Sequence, residues 1–463
     1  MTTPRFAIVG HPNKGKSSIV ATLARDESVA ISPIPGTTTE DRVYPMRVDG
    51  ETLYELVDTP GFQRARAALE WMQNQEGTSA ERADITRRFV DEHRDDPRFA
   101  AECSLLEPIL DGAGILYVVD GSRPFGEEYE AEMEILRWTG QPSMALINLI
   151  RESDHTAEWI NALGQYFRIV RVFDALTADF DRCIQLLLAF GQLREAWRQP
   201  LEKAVEILRE EQAQRREQSA HVIAETVARM ITYSKRRALV REAPTKKEKD
   251  ALKKAYRKKL AGMEQSCRKR VERIYSYRGM ERHEPLFDLL DENLFAEETW
   301  KLFGLTQQQL IATGTMGGAA AGGVIDLAVG GSSLLLGAGL GALVGGASAW
   351  LTADRIADIK ILGLPLGGKE LRVGPMRNIN FPYVALGRAL LHQRLIEDRT
   401  HAQRDPLELR DHSTAMQELE GAQRKGLEET FNRLRKQEAA PHQLVDDLAE
   451  EVEEIMSQQD GNF

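Results

Sequence analysis

Gly10-His-Pro-Asn-Lys-Gly15-Lys16-Ser17 fits the pattern G-x-x-x-x-G-K-[ST] in full. An apolar run (Phe6–Val9) precedes it and a helical run (Ser18–Leu23) follows, which is the strand–loop–helix setting the motif requires. Glycines at both ends let backbone N–H groups wrap phosphate oxygens, and the following helix N-terminus adds partial positive charge. Lys16 is placed to bridge β- and γ-phosphates, and the Ser17 hydroxyl to take a Mg2+ position. The loop therefore predicts a nucleoside triphosphate site formed by Gly10, Asn13, Lys14, Gly15, Lys16, Ser17 and Ser18.

Two further stretches extend that site. Asp58-Thr-Pro-Gly61 closes the third apolar run, where an aspartate holds Mg2+ through water and the Gly61 N–H reaches a γ-phosphate. Between it and the loop lies Pro35-Gly-Thr-Thr38-Thr-Glu-Asp, a threonine segment ahead of an edge strand. A threonine there completes the Mg2+ shell only while γ-phosphate is present, and its release on hydrolysis makes a two-state switch. Ser17, Thr38 and Asp58 are thus the expected Mg2+ set, and Lys16, Thr38 and Gly61 the expected catalytic groups.

The strand pattern around the motifs gives the fold. Apolar runs at Phe6–Val9, Val43–Val48, Leu53–Val57, Ile115–Val119, Met144–Asn148 and Ile169–Phe173 alternate with helical stretches, predicting a mostly parallel six-stranded sheet covered on both faces. Asp49-Gly50 between the second and third runs is a hairpin signal, so that pair is expected antiparallel. An α/β domain over residues 1–197 follows, with a helical insertion at 64–106 behind the Asp58 motif.

Together, G-x-P-N-x-G-K-S, P-G-T-T and D-T-P-G resemble the Era/TrmE branch of translation-factor-type P-loop GTPases. The resemblance implies a Ras-like G domain binding GTP and GDP. It places the switch I Mg2+ ligand at Thr38, with Thr37 as the neighbouring alternative, and a K+-holding asparagine at Asn13. Phe62 stands where a water-positioning glutamine would be, which implies slow hydrolysis speeded by K+ or by a nucleotide-dependent dimer. Asp174-Ala175-Leu176 occupies the place of the loop whose backbone meets the base. One motif departs: where the family carries N-K-x-D, this chain reads Asn148-Leu-Ile-Arg151, and Asp154 lies three residues too far along. Guanine preference is therefore expected from the family, with Asn148 the retained residue.

Beyond the G domain the texture changes three times. Residues 198–310 are charged and helical, with Pro244 breaking two long helices. Between Lys235 and Arg282 there are eighteen Lys/Arg against six Asp/Glu, a basic stretch that suits anionic lipid, a solvated helix face or ribosomal RNA. Residues 311–355 form a Gly-rich apolar hairpin, in which Leu327–Leu351 exceeds the roughly 20 residues a spanning helix needs. Glycines at four-residue spacing (Gly337, Gly341, Gly345) equally suit close soluble packing. Residues 356–463 read as mixed, then helical. This layout resembles a bacterial family that fuses an Era-like G domain to a long helical domain of unknown function.

The totals bound the rest. At 463 residues the chain needs two or three domains, and its net charge of −11 argues against a dedicated nucleic-acid binder. Cys103, Cys183 and Cys267 fit no metal-ligand spacing and are expected as structural thiols in a reducing cytoplasm. No signal-peptide pattern follows Met1, so a cytoplasmic protein is expected, associated with the inner membrane through the hairpin. The function expected first is a membrane-associated regulatory GTPase. A ribosome- or RNA-associated assembly GTPase and a dynamin-like membrane-remodelling protein are the alternatives.

Overall fold

Phe6-Ala7-Ile8-Val9 is apolar on both faces because the strand it forms, β1 (Arg5–Val9), lies third in a six-stranded sheet and shows no exposed surface over those four residues. The computed structural model describes residues 3–12, 14–24, 42–48, 50–149, 154–175, 178, 180–239, 243–275, 294–295, 303, 359–363, 369–397, 419 and 421–458. The other strands are β2 (Arg42–Val48), β3 (Glu51–Asp58), β4 (Gly114–Asp120), β5 (Ser143–Asn148) and β6 (Val170–Val172), in the order β2-β3-β1-β4-β5-β6. All pairings are parallel except β2 with β3, joined at Gly50, whose φ of +84° suits a tight hairpin. Each of the six expected strands is present, and the antiparallel edge lies where Asp49-Gly50 placed it.

Register positions the site. Ile8 pairs with Asp58, and Asp120 with Asn148, so β1, β3, β4 and β5 end together along one edge. In open parallel sheets ligands gather outside the carboxyl ends of the strands.

Helices cover both faces: α1 (Lys16–Ala24), α2 (Ala65–Gln73), α3 (Arg82–His93), α4 (Ala100–Leu110), α5 (Glu128–Trp138), α6 (Thr156–Leu163), α7 (Phe180–Gly191) and the start of α8 (Glu195–Thr232). On one face Ile19, Leu23, Phe190 and Trp197 pack on alternate strand residues, with the Phe6 and Phe190 ring centroids 4.2 Å apart. On the other, Phe62, Met72, Phe89, Leu106 and Trp159 form the core. The stretch expected as an insertion is filled by α2, α3 and α4, with a 3-10 turn at Ser79–Glu81.

Described residues as far as Glu211 form one unit, and those from Gln212 onward a second. The second contains the rest of α8, α9 (Lys246–Ile274), α10 (Phe381–Glu397), α11 (Gly421–Arg435) and α12 (His442–Gln458). Its charged sequence nonetheless builds an apolar core around Ile223, Tyr256, Leu386, Phe431 and Leu448. Pro244 ends no helix, since α8 already stops at Thr232; it stands just ahead of α9, which Thr245 caps reciprocally with Glu248, whose Oε2 accepts the Thr245 N–H at 2.8 Å. The sequence reading missed a strand just before it. Lys235–Leu239 (β7) pairs antiparallel with β9 (Lys369–Val373), which pairs with β8 (Ile359–Gly363). A run of Lys-Arg-Arg carries no strand signal, and its partner lies more than a hundred residues away.

Among the described residues no helix is long and apolar enough to cross a membrane, and the glycine-rich tract 311–351 lies outside them. All three cysteines are free; Cys103 and Cys267 are buried, and burial pushes both thiols up to about 11.

Candidate nucleotide-binding site

The loop between β1 and α1 is shaped by its glycines. Gly10 has φ +144°, and a Cβ there would meet the Val118 carbonyl oxygen at 2.3 Å, so only glycine lets β1 turn away from β4 at this point. Gly15 has φ +82° and hands the chain directly to α1. Lys16 opens that helix and is almost fully buried. Its Nζ donates to the carbonyl oxygens of Gly10 and His11, both at 3.1 Å. Burial lowers its pKa to about 8, against the opposing pull of the Asp58 carboxylate. Ser18 follows, half-buried, in the first turn of α1.

Ser17 and Asp58 are forty-one residues apart, yet the Ser17 hydroxyl donates to Asp58 Oδ2 at 2.9 Å. A hydroxyl and a buried carboxylate converging beside a lysine are hard oxygen donors of the kind Mg2+ takes. The residues present therefore fit the ion. Thr59 anchors the turn behind them by donating to the Ile8 carbonyl at 2.7 Å. Gly61 lies against the phosphate loop: a Cβ there would come within 2.6 Å of Pro12 N. Phe62 is 1% exposed and packs in the core, which accounts for an apolar side chain at that position.

At the other end of the site, Asn148 is buried at the tip of β5. Its Nδ2 donates to the Lys14 carbonyl at 3.2 Å, and its Oδ1 accepts the Ala175 N–H at 3.3 Å. Thr22 of α1 donates to the Ala175 carbonyl at 2.9 Å, so the loop after β6 is tied to the phosphate loop through Asn148 and to α1 directly. Asp174 is half-buried beside it. Leu149, in the place of the motif lysine, lies beside Gly121: a Cβ added there would meet its Cδ2 at 3.0 Å. Asp154 is exposed, and its Oδ1 accepts the Thr156 N–H at the start of α6 at 2.8 Å; hydrogen bonding to the Thr156 side chain and backbone lowers its pKa. Asn13, Thr37, Thr38, Arg151 and Leu176 lie outside the described residues.

Three residues of this neighbourhood escaped the sequence reading. The first, Asp120, meets Lys14, a loop residue expected at the nucleotide, whose side chain is buried. Its ammonium stands 3.8 Å from Asp120 Oδ2 and 5.6 Å from the Tyr129 ring centre. Burial lowers its pKa, with Asp120 opposing. Asp120 also accepts the Ser122 N–H at 3.0 Å. Glu132 of α5 is buried and shared by His11 Nδ1 and the Tyr117 hydroxyl, each at 2.8 Å. Glu102 of α4 is buried and accepts the backbone N–H groups of Gln63 and Arg64. An acid closing the apolar run Ile115–Val119 was a readable signal for Asp120. Glu102 and Glu132 sit in helical stretches where an acid is unremarkable.

Residues 161–458 match a family model described as a domain of unknown function (DUF3482), and residues 5–148 match one described as 50S ribosome-binding GTPase. GTPase Der of Paraburkholderia phymatum is 28% identical over 145 residues, 31% of this chain and 26% of that protein. GTPase Der of Aromatoleum aromaticum is 44% identical over 68 residues, 15% of each chain. The chain thus spans no more than 26% of the length of these two relatives. Among solved structures, Era in complex with MgGDPNP and a segment of 16S ribosomal RNA aligns at a TM-score of 0.28 and 19% identity, over 41% of this chain and 57% of that one. Era of Aquifex aeolicus bound to GDP.AlF4- aligns at 0.28 and 16%, over 59% and 90%.

Proposed function

Since the chain belongs to the DUF3482 family, whose domain here follows a G domain of the P-loop GTPase class, we propose that it binds Mg-GTP and hydrolyses it slowly as a regulatory switch. The observation that carries this reading is the Ser17–Asp58 pair beside the buried Lys16. Lys16 exchanges its two carbonyl partners for phosphate oxygens and holds charge on the β- and γ-positions. Ser17 and Asp58, with Thr38 of the first switch, would hold Mg2+, which would supply charge neutralisation at the transferred group. Gly61 offers its N–H from a turn that already touches the loop. Phe62 brings no polar atom to orient a water, so turnover without an activator is slow; Asn13 would hold K+, and that ion or a second copy of the chain would supply the missing activation.

Binding of GTP, ATP and XTP measured side by side tests the assignment. GTP at least tenfold tighter than ATP supports it; equal affinities would remove the guanine reading. Hydrolysis compared in K+ and Na+ tests the ion.

We place the switch at the cytoplasmic face of the membrane. Lys246, Lys247, Lys253, Lys254, Lys258 and Lys259 of α9 are exposed and form no ion pair among the described residues, a distribution that suits anionic head groups. The apolar tract 311–351 adds a means of insertion. Ribosomal RNA is the second reading, favoured by the description of the model that matches residues 5–148. Fractionation separates them: sedimentation with ribosomal particles, unaltered by deleting 311–351, would end the membrane reading.

A further inference from the structure

Glu102 has no exposed surface, yet it is a carboxylate, and burying one is costly unless donors meet its charge. The donors are two backbone N–H groups from a distant part of the chain. Gln63 N lies 2.7 Å and Arg64 N 2.6 Å from Glu102 Oε1, short bonds of the charge-assisted kind. Those amides stand just ahead of α2, at a helix start for which no local side chain supplies a cap. A serine or aspartate at position 64 would cap the amides of Arg66 or Ala67, further into the helix, and leave these two unmet. Instead the acceptor comes from the first turn of α4, and its second oxygen, Oε2, has no hydrogen-bond partner among the described residues. Such an arrangement asks for a reason beyond satisfying a helix end.

Its position supplies one. Gln63 and Arg64 directly follow Gly61 and Phe62. Gly61 is pressed against Pro12 of the phosphate loop, and Phe62 is sealed in the core. The four residues are therefore held at both ends, by the phosphate loop at Gly61 and by Glu102 at Gln63 and Arg64. Glu102 is itself fixed by α4, whose Leu105, Leu106 and Ile109 show no exposed surface, and α4 leads into β4. Next to it, Cys103 Sγ reaches the Val90 carbonyl of α3 at 4.0 Å, so the carboxylate rides on the packed pair α3–α4.

We propose that Glu102 is the positioning residue of the segment 61–64 that follows the Asp58 motif, and that through it the helices between β3 and β4 govern hydrolysis. Its carboxylate holds the Gln63–Arg64 backbone so that Gly61 stays presented at the phosphate edge. A displacement of α4, by a partner or by nucleotide state, releases that backbone and slows turnover without touching the residues that bind nucleotide. The inference rests on the GTP-hydrolysing reading of the site.

The test uses the full chain with Glu102→Gln, which keeps the shape and removes the charge, and Glu102→Ala, which removes the acceptor. Hydrogen exchange is followed at the amides of residues 61–66 without nucleotide, and kcat, KM and GDP affinity are measured with Mg-GTP and Mg-GDP. Exchange at Gln63 and Arg64 is expected to speed up about tenfold in the glutamine variant and further in alanine, with β1 unchanged. Turnover should fall about tenfold while KM and GDP affinity stay within about twofold. Unchanged exchange in the glutamine variant, or faster exchange with normal kcat, overturns the proposal. So does a loss of kcat and nucleotide affinity together with thermal stability, the mark of a merely structural role. If alanine does not fold, the glutamine variant decides. A wild-type chain that hydrolyses no nucleotide would defeat the GTPase reading, while the exchange comparison still decides whether Glu102 pins the loop.

Discussion

The phosphate end and the base end of this site are built from different kinds of sequence. At the phosphate end a contiguous motif supplies nearly everything: two positive-φ glycines, a buried lysine, and a serine that meets Asp58 at 2.9 Å. At the base end the N-K-x-D pattern is broken, and Asn148 joins the phosphate loop to the loop after β6 through hydrogen bonds of 3.2 and 3.3 Å. The first end is fixed by local backbone geometry, which tolerates few residue types. The second depends on where three strand ends and a helix bring scattered groups. A motif search therefore succeeds at one end and half-fails at the other, although both belong to one site.

The sharpest way to break this comparison is Lys16→Ala. It should lower GTP affinity by at least about a hundredfold, since a buried charge-assisted contact to phosphate is removed. A fluorescent-nucleotide titration showing less than a tenfold loss would mean that the phosphate end does not carry binding. Asn148→Ala comes next. Losing two buried hydrogen bonds is expected to cost about 1–3 kcal/mol of stability and roughly tenfold in nucleotide affinity, read by denaturant unfolding and titration. No change would show that the two ends are not coupled through this side chain.

Proton linkage gives a smaller, graded effect. Lys16 titrates near 8 when folded and nucleotide-free, below its ordinary 10.5. Between those values the unfolded chain holds a proton that the folded chain lacks. This group therefore adds stability as pH rises from about 8 towards 10.5, and none of that gain is present below 8. Phosphate favours the charged form, so GTP affinity should fall above pH 8, approaching tenfold per unit. A flat affinity profile from pH 7 to 9.5 would contradict the burial of this ammonium. Asp154→Asn should do least: the affinities for GTP, ATP and XTP are expected to stay within about twofold, because Asp154 serves the Thr156 amide. A shift of preference towards XTP would instead make Asp154 the base reader.

Much of the first unit was legible. The six strands follow from apolar runs, the antiparallel edge from Asp49-Gly50, and the meeting of Ser17 with Asp58 from the order of the motifs. Lys14 was legible as a loop residue but not as a cation turned inward, since its direction depends on Asp120 and Tyr129 from β4 and α5. In the second unit the helices were readable from their charge pattern, and the start of α9 from Pro244-Thr245. The strand β7 was not, because Lys-Arg-Arg becomes a strand only by pairing with Lys369–Val373.

The sequence by itself determined that this chain handles phosphate: a glycine-flanked loop, a lysine and a serine impose that chemistry through backbone geometry wherever they stand between a strand and a helix. Only the tertiary structure decided which acids besides Asp58 attend the loop and the turn after Gly61. Asp120, Glu132 and Glu102 take their roles from a sheet edge and helix faces brought together by long-range packing. A carboxylate acquires such a role from the donors that surround it when buried, and a linear pattern does not specify those neighbours.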